Sequence, residues 1–362
     1  MHKKCFKSNY LLNMAVIFVS FFLFSSKNIF AIENNSANSL LEDELYQKAL
    51  NILDNYGGNT YSLYEAQGYL KRILELNPTY ALSYVGLARA EYKLGYINYD
   101  NYEPQNLESA HLYLNKALEI NPKLYEAHIA KGYVYLFQKD LTNAKNMAQA
   151  AENLKPNQAQ TDILFSEIAS KENNLVEAEK KAKDVLNKTQ EKKLRVAAYE
   201  VLGGIYRLRK DYKAAEETYL ERIKLEPKSA WSKINYSSFL IKMGNYDKAI
   251  DYAKQALAQM DFGMGRHILA QAYYKKAYDL CWKQKNYKEA QNYFKFSLEQ
   301  EADNPDAYYG LGVCYRFISY ELKDKSLIDK SNESFKKAIE LNPNHELAKK
   351  ELQKNLDWVA GK

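Results

Sequence analysis

The sequence predicts an all-α protein built as a solenoid of helical hairpins, and three observations predict it. A small residue, an apolar or small residue four positions later and, in most copies, a proline eight beyond that recur along almost everything after residue 40. The recurrence holds a period near 34 residues, the length of two short helices and their turns. Between these marks, apolar residues fall at i, i+3, i+4 and i+7, the spacing of a helix with one buried stripe.

The chain opens on a segment unlike the rest. MHKKCFKSNY is basic, residues 11–24 are almost wholly apolar and SSKNIFA ends in a small residue. Together they read as a secretory signal peptide over residues 1–31, cleaved after Ala31. The apolar run is short for a membrane-spanning helix, which needs about 20 residues; a retained anchor is the alternative. No cysteine follows the run, which argues against a bacterial lipoprotein. Residues 32–40 read as a short linker, and the expected location is exported, periplasmic or secreted.

Residues 41–343 then read as about eight hairpins. The marks are Ala66, Leu70, Pro78; Ala110, Leu114, Pro122; Ala144, Ala148, Pro156; Ala178, Ala182; Ala215, Tyr219, Pro227; Ala249, Ala253; Ala290, Phe294; and Ser331, Phe335, Pro343. Successive small residues are 44, 34, 34, 37, 34, 41 and 41 positions apart, so three intervals keep the period and the others carry insertions. The small residue belongs where the two helices of a hairpin cross closely, since a branched side chain would hold the backbones apart. Proline follows because it ends a helix and restricts its predecessor. The insertions fall at Tyr96–Asn106, in an overlong first helix over Phe262–Lys283 and at Ile318–Lys330. Gly263-Met264-Gly265-Arg266 reads as a hinge between repeats. Residues 344–362 form a capping helix and tail, with Ala348, Leu352 and Leu356 at i+4 steps, Leu347 on the same stripe, and Lys349, Lys350 and Lys354 outward.

First helices carry their own mark. Tyr199, Leu202, Gly203 and Tyr206, followed by Ala215, Tyr219 and Pro227, give the fullest copy, and Tyr308, Leu311, Gly312 and Tyr315 the next. This pattern resembles the tetratricopeptide repeat (TPR). The resemblance implies a right-handed superhelix whose first helices line a concave groove, with positions one, five, eight and nine after the aromatic position facing into it. On this chain the implied partner-binding residues are Arg89, Tyr92, Tyr133 and Phe137, with Lys93 beside them; then Arg207, Lys242 and Trp282, joined by Trp231, two residues before its aromatic position; and Arg316 and Phe317. Rings beside cations suit an extended acidic peptide, the rings giving area at low entropic cost and the cations pairing with carboxylates. The expected central contacts are Arg207, Trp231, Lys242 and Trp282. The Lys and Asn set with which some members of this family clamp chaperone C-termini is not visible.

Charge and chemistry narrow the function. The leader holds Lys3, Lys4, Lys7 and Lys27 and no acid, so without it 47 basic face 45 acidic residues and the formal charge falls from +6 to +2. That leaves no strong field for nucleic acid. The histidines form no ligand pair, no P-loop or nucleophile elbow occurs, and carboxylates scatter beside lysines at helical spacing as solvated faces do. No cofactor, metal or catalytic residue is expected. Cys281 and Cys314 fall at similar positions in adjacent repeats, where two buried thiols are the simpler reading and a bridge the alternative. The expectation is an exported non-enzymatic scaffold that binds a protein or peptide in its groove, with no nucleic acid and membrane contact only through a retained leader. The alternative is a structural or assembly component of a cell-envelope complex.

Overall fold

The structure is a computed structural model that describes residues 38–98 and 101–360. The predicted leader lies outside the described residues, as does most of the linker, whose last three residues already belong to the first helix. The helices are α1 (38–54), α2 (Thr60–Leu76), α3 (Ala81–Leu94), α4 (Pro104–Ile120), α5 (Tyr125–Phe137), α6 (Leu141–Leu154), α7 (Ala159–Lys171), α8 (Leu175–Lys188) and α9 (Lys192–Leu208). They continue as α10 (Tyr212–Leu225), α11 (Ala230–Lys242), α12 (Tyr246–Gln259), α13 (Gly263–Tyr278), α14 (Tyr287–Gln300), α15 (Pro305–Leu322), α16 (Ser326–Leu341) and α17 (Glu346–Val359). Two compact units divide the chain, residues 1–164 and 165–362, the division falling within α7. None of the described helices is long and apolar enough to cross a membrane.

Within each unit the second helices cross the first at the small residues. Ala66, Ala110, Ala144, Ala178, Ala215, Ala249, Ala290 and Ser331 are all fully buried. Where the second helix brings a large ring, the first helix answers with glycine. A Cβ on Gly312 would stand 2.6 Å from the Phe335 ring, and one on Gly310 would stand 2.3 Å from that of Phe294. Buried hydroxyls tie the crossings: Ser331 Oγ donates to the Gly312 carbonyl at 2.8 Å and Ser237 Oγ to that of Ala249 at 2.7 Å.

One turn recurs between the two helices of a hairpin. Lys139, Asn173, Lys210, Gly244 and Lys285 adopt left-handed backbone, and each is followed by Asp or Asn. The amides of Asp140, Asp211 and Asn245 reach back to the carbonyls of Tyr135, Tyr206 and Leu240, closing the spent helix. The side chains of Asp140, Asn174, Asp211 and Asn286 then cap the next one, accepting from backbone amides in its first turn. At the other end, Asn77, Asn121, Lys155, Glu226 and Asn342 leave helical space just before proline.

The insertions take defined shapes. Tyr96–Asn98 and Asn101–Tyr102 pair as an antiparallel hairpin, with Tyr96 opposite Tyr102. The overlong first helix is α13 prolonged by a π-helical turn, Asp279–Lys283. Cys281, in that turn, and Cys314 are buried free thiols with sulfurs 3.8 Å apart, and the shared contact together with burial pushes the Cys314 thiol up. The glycine-rich segment is the first turn of α13 rather than a hinge; a Cβ on Gly265 would stand 2.8 Å from Leu257 and Phe262, so close packing explains that glycine.

The last helix departs from its expected stripe. Ala348, Glu351 and Asn355 are buried, whereas Leu347 and Leu356 are 56% and 45% exposed. A polar network sets this rotation. Glu351 pairs with the guanidinium of Arg316, and the Asn355 amide donates to Ser331 Oγ and Asn332 Oδ1, both at 2.9 Å. His345 caps the helix, accepting from the Ala348 amide at 3.2 Å. Turning Leu347 and Leu356 inward would strand these groups without partners.

Two stability predictions follow from these contacts. Nothing lies within 4 Å of a Cβ on Gly204, so Gly204→Ala gains helix propensity and stabilises by about 1 kcal/mol, while Gly312→Val forces Phe335 aside and destabilises by about 2 kcal/mol. Urea unfolding of both variants checks this, and equal effects would contradict it. Glu351→Ala leaves the Arg316 guanidinium buried without its counter-charge and costs about 3–5 kcal/mol, most of which Arg316→Met with Glu351→Leu restores. A double variant as unstable as the single one would refute the ion-pair account.

Candidate functional site

In the first unit, residues three and four apart on α3 share one face, and Arg89, Tyr92 and Lys93 occupy it together. Helix α5 packs against α3 and adds Tyr133 and Phe137, also one turn apart. The two sets meet where the Tyr92 and Phe137 rings contact edge to face at 5.3 Å, with Tyr133 6.0 Å from Phe137. The hairpin after α3 folds back on the same spot, and Tyr102 stacks on Phe137 at 4.3 Å between centroids. Tyr96 closes on Tyr102 at 5.6 Å. The result is a wall of half-buried rings beside two cations.

The cations have different surroundings. Arg89 donates to Asp54, the last residue of α1, at 2.6 Å, both groups being about three-quarters buried. Lys93 places its ammonium 5.4 Å from the centre of the Tyr56 ring. Burial, and then the neighbouring Arg89 charge, pull the Lys93 pKa down to about 8, against a smaller opposing pull from Asp54. Tyr46, whose surroundings include Arg89 and Asp54, is pushed up to about 12 by burial.

Arg89, Tyr92, Tyr133 and Phe137 therefore lie together in the first unit. The residues of the second unit do not form one set. Arg207 and Lys242 are neighbours; burial and then the Arg207 charge lower the Lys242 pKa. Trp231 stands at the opposite end of α11 from Lys242, about 16 Å away along the helix, and packs on Phe262 at 4.9 Å. Trp282 stacks on Tyr278 at 4.7 Å and meets Phe294 edge-on at 5.9 Å, joining core rather than groove. Arg316 is about nine-tenths buried against Glu351, and Phe317 stacks on Tyr287 at 4.5 Å. The expected centre of Arg207, Trp231, Lys242 and Trp282 is thus split between a basic pair and two packing tryptophans. An aromatic residue serves groove and core equally well, and its sequence position does not separate the two.

Sequence reasoning missed Asp54, Tyr56 and the meeting of Tyr102 with Phe137. The tyrosines of the insertion were a visible signal; the fold of the hairpin onto α5 was not. Among the described residues, no group of three or more His, Cys, Asp and Glu could hold a metal ion.

Tetratricopeptide-repeat family models match residues 125–158 and 196–229 and, in a second form, residues 228–300. No curated protein matches the chain significantly in sequence. Among solved structures, the chain is similar to one in the APC/C hetero-tetramer Cut9–Hcn1, with TM-score 0.51 and 16% identity over 81% of this chain and 52% of that one. It spans about half the length of that relative. Human IFIT1, in a dimer with m7Gppp-AAAA, is similar at TM-score 0.51 and 15% identity over 78% of this chain and 69% of its own. At these identities the likeness concerns the fold alone. The repeated marks, the helix pairs they produce and the family matches agree that this chain contains tetratricopeptide repeats.

Proposed function

We propose that the protein is an exported scaffold that binds a segment of a partner protein on the face of α3 and α5 in its first unit. The carrying observation is the convergence there of Arg89, Tyr92, Lys93, Tyr133 and Phe137 with Tyr102 of the hairpin. Rings half-buried against one another are held in place before binding, so a partner meets a fixed surface and less freedom is lost on association. Cations at the edge add attraction for acidic segments. Export rests on the basic and apolar leader of the sequence.

RNA is the ligand in one structural neighbour. A track of cations suits RNA, whereas this face pairs one of its two cations, Arg89, with a carboxylate, Asp54. The second reading, a permanent component of an envelope assembly, draws on Leu347, Leu356, Trp358 and Val359, which are exposed on α17.

Affinity capture of the protein from its own cell envelope identifies the partner, and titration of that partner locates the site. Replacing Tyr92 and Phe137 together with alanine should weaken binding by about thirtyfold, a hot-spot loss of about 2 kcal/mol, with helicity unchanged. Unchanged affinity in that variant, with loss on replacing Leu356 and Trp358, would transfer the function to α17.

A further inference from the structure

The turn that ends α13 differs from its counterparts by one residue. In other hairpins the amides of Asp140, Asp211 and Asn245 reach the carbonyls of Tyr135, Tyr206 and Leu240, whereas that of Asn286 reaches one residue further back, to Leu280. The surplus residue is taken up by the π-helical turn Asp279–Lys283. Such turns are rare and concentrate at functional sites. This one buries Cys281, 2% exposed, against the fully buried Cys314 of α15, with the sulfurs 3.8 Å apart. The two thiols belong to adjacent repeats, 33 positions apart in the chain, with α14 between them in sequence. Leu280, Leu311, Phe294 and Phe335 belong to the same core cluster, and Tyr287 lies close to both sulfurs. The neighbouring sulfur and burial both raise the Cys314 pKa, so the thiolate that a catalytic or metal-binding cysteine needs is disfavoured here. Joining the two thiols in one bond removes both from titration.

We propose that Cys281 and Cys314 are joined in a disulfide as the chain folds in an oxidising compartment, fastening the π-helical turn of one repeat to the first helix of the next. The occurrence of the bond in the cell rests on the reading of the protein as exported; the pairing itself does not. The sulfurs already touch and need only close to about 2.0 Å. The oxidant is an external disulfide, borne by a dithiol oxidoreductase or a small thiol compound. In the unfolded chain both thiols are open to water. The thiolate of one attacks a sulfur of the external disulfide, forming a mixed disulfide and releasing one donor thiolate. The other thiol then loses its proton, and its thiolate attacks the chain sulfur of the mixed disulfide, breaking that bond, closing the Cys281–Cys314 bond and releasing the second donor thiolate. The chain gives up two electrons and two protons, and the donor leaves as two thiols. Once the chain has folded, the apolar cover keeps external thiolates from the bond.

The full chain is unfolded in urea with reductant and refolded by dilution into reduced and oxidised glutathione; free thiols are then alkylated, and the chain is digested with trypsin and weighed by mass spectrometry. The peptide holding Cys281 should be recovered linked to the one holding Cys314, with Cys5 in neither. Folded, reduced chain placed in the same buffer should link at least about tenfold more slowly, because burial withholds the thiols. The linked form should melt about 5 °C or more above the reduced form, since the bond restricts the unfolded chain. Cys281→Ala with Cys314→Ala should melt at one temperature with or without reductant, and the wild-type comparison stands even where that variant folds poorly. Failure of the refolded chain to link, pairing of either cysteine with Cys5 or glutathione in place of its neighbour, or a linked form that melts no higher than the reduced one would overturn the proposal. Chain taken from its own cells with thiols alkylated at lysis separates the pairing from the export reading. Linked peptides there support both, whereas free thiols in a chain that links on refolding count against export and leave the pairing standing.

Discussion

The close crossing of two helices in every hairpin is the constraint on which the rest of this structure depends. A hairpin of about 34 residues cannot bury its apolar face alone, and it can stack on the next only if its own helices lie near enough to present one continuous surface. Eight fully buried small residues keep that distance. Where a repeat uses Phe four positions later, a glycine on the facing helix makes room, as Gly312 does for Phe335 and Gly310 for Phe294. Caps and left-handed turns then fix the angle at which each helix leaves its predecessor, so the crossing recurs in register.

That regularity decides which side chains are left for function. Once the second helices and one stripe of each first helix are committed to packing, the other face of the first helices carries what remains. In the first unit this is a set of rings joined across α3, α5 and the hairpin, with Arg89 and Lys93 beside them. In the second unit the same positions are largely drawn into structure: Trp231 on Phe262, Trp282 in the core, Arg316 on Glu351. The two units thus share a plan and differ in what the side chains at these positions pack against.

Most of the fold was legible because its signals are local and repeated. Small residues at the crossings and prolines after the second helices each act within one hairpin. What was hidden depends on partners far apart in the chain. The stripe of α17 was misjudged because Leu347 and Leu356 satisfy a helical period, while the deciding contacts, Arg316 with Glu351 and Ser331 with Asn355, are polar. Arg222 occupies a position filled by Ile73, Ala117, Ala151, Val185, Ala256, Ser297 and Ala338 in the other units, and it reaches Glu200 at 3.3 Å. Of the site, Arg89, Tyr92, Tyr133 and Phe137 were visible as positions of the repeat, but not the stacking of Tyr102 or the engagement of Asp54, because the insertion has no repeat to compare with.

The account turns on a lysine that the fold buries beside an arginine without giving it a carboxylate of its own. Its most direct test is an NMR titration of the lysine side chains, with Lys93 assigned by the loss of one signal in Lys93→Met. The account predicts that this signal titrates near pH 8, well below the ordinary lysine value of 10.5. A Lys93 that titrates at that ordinary value would contradict it.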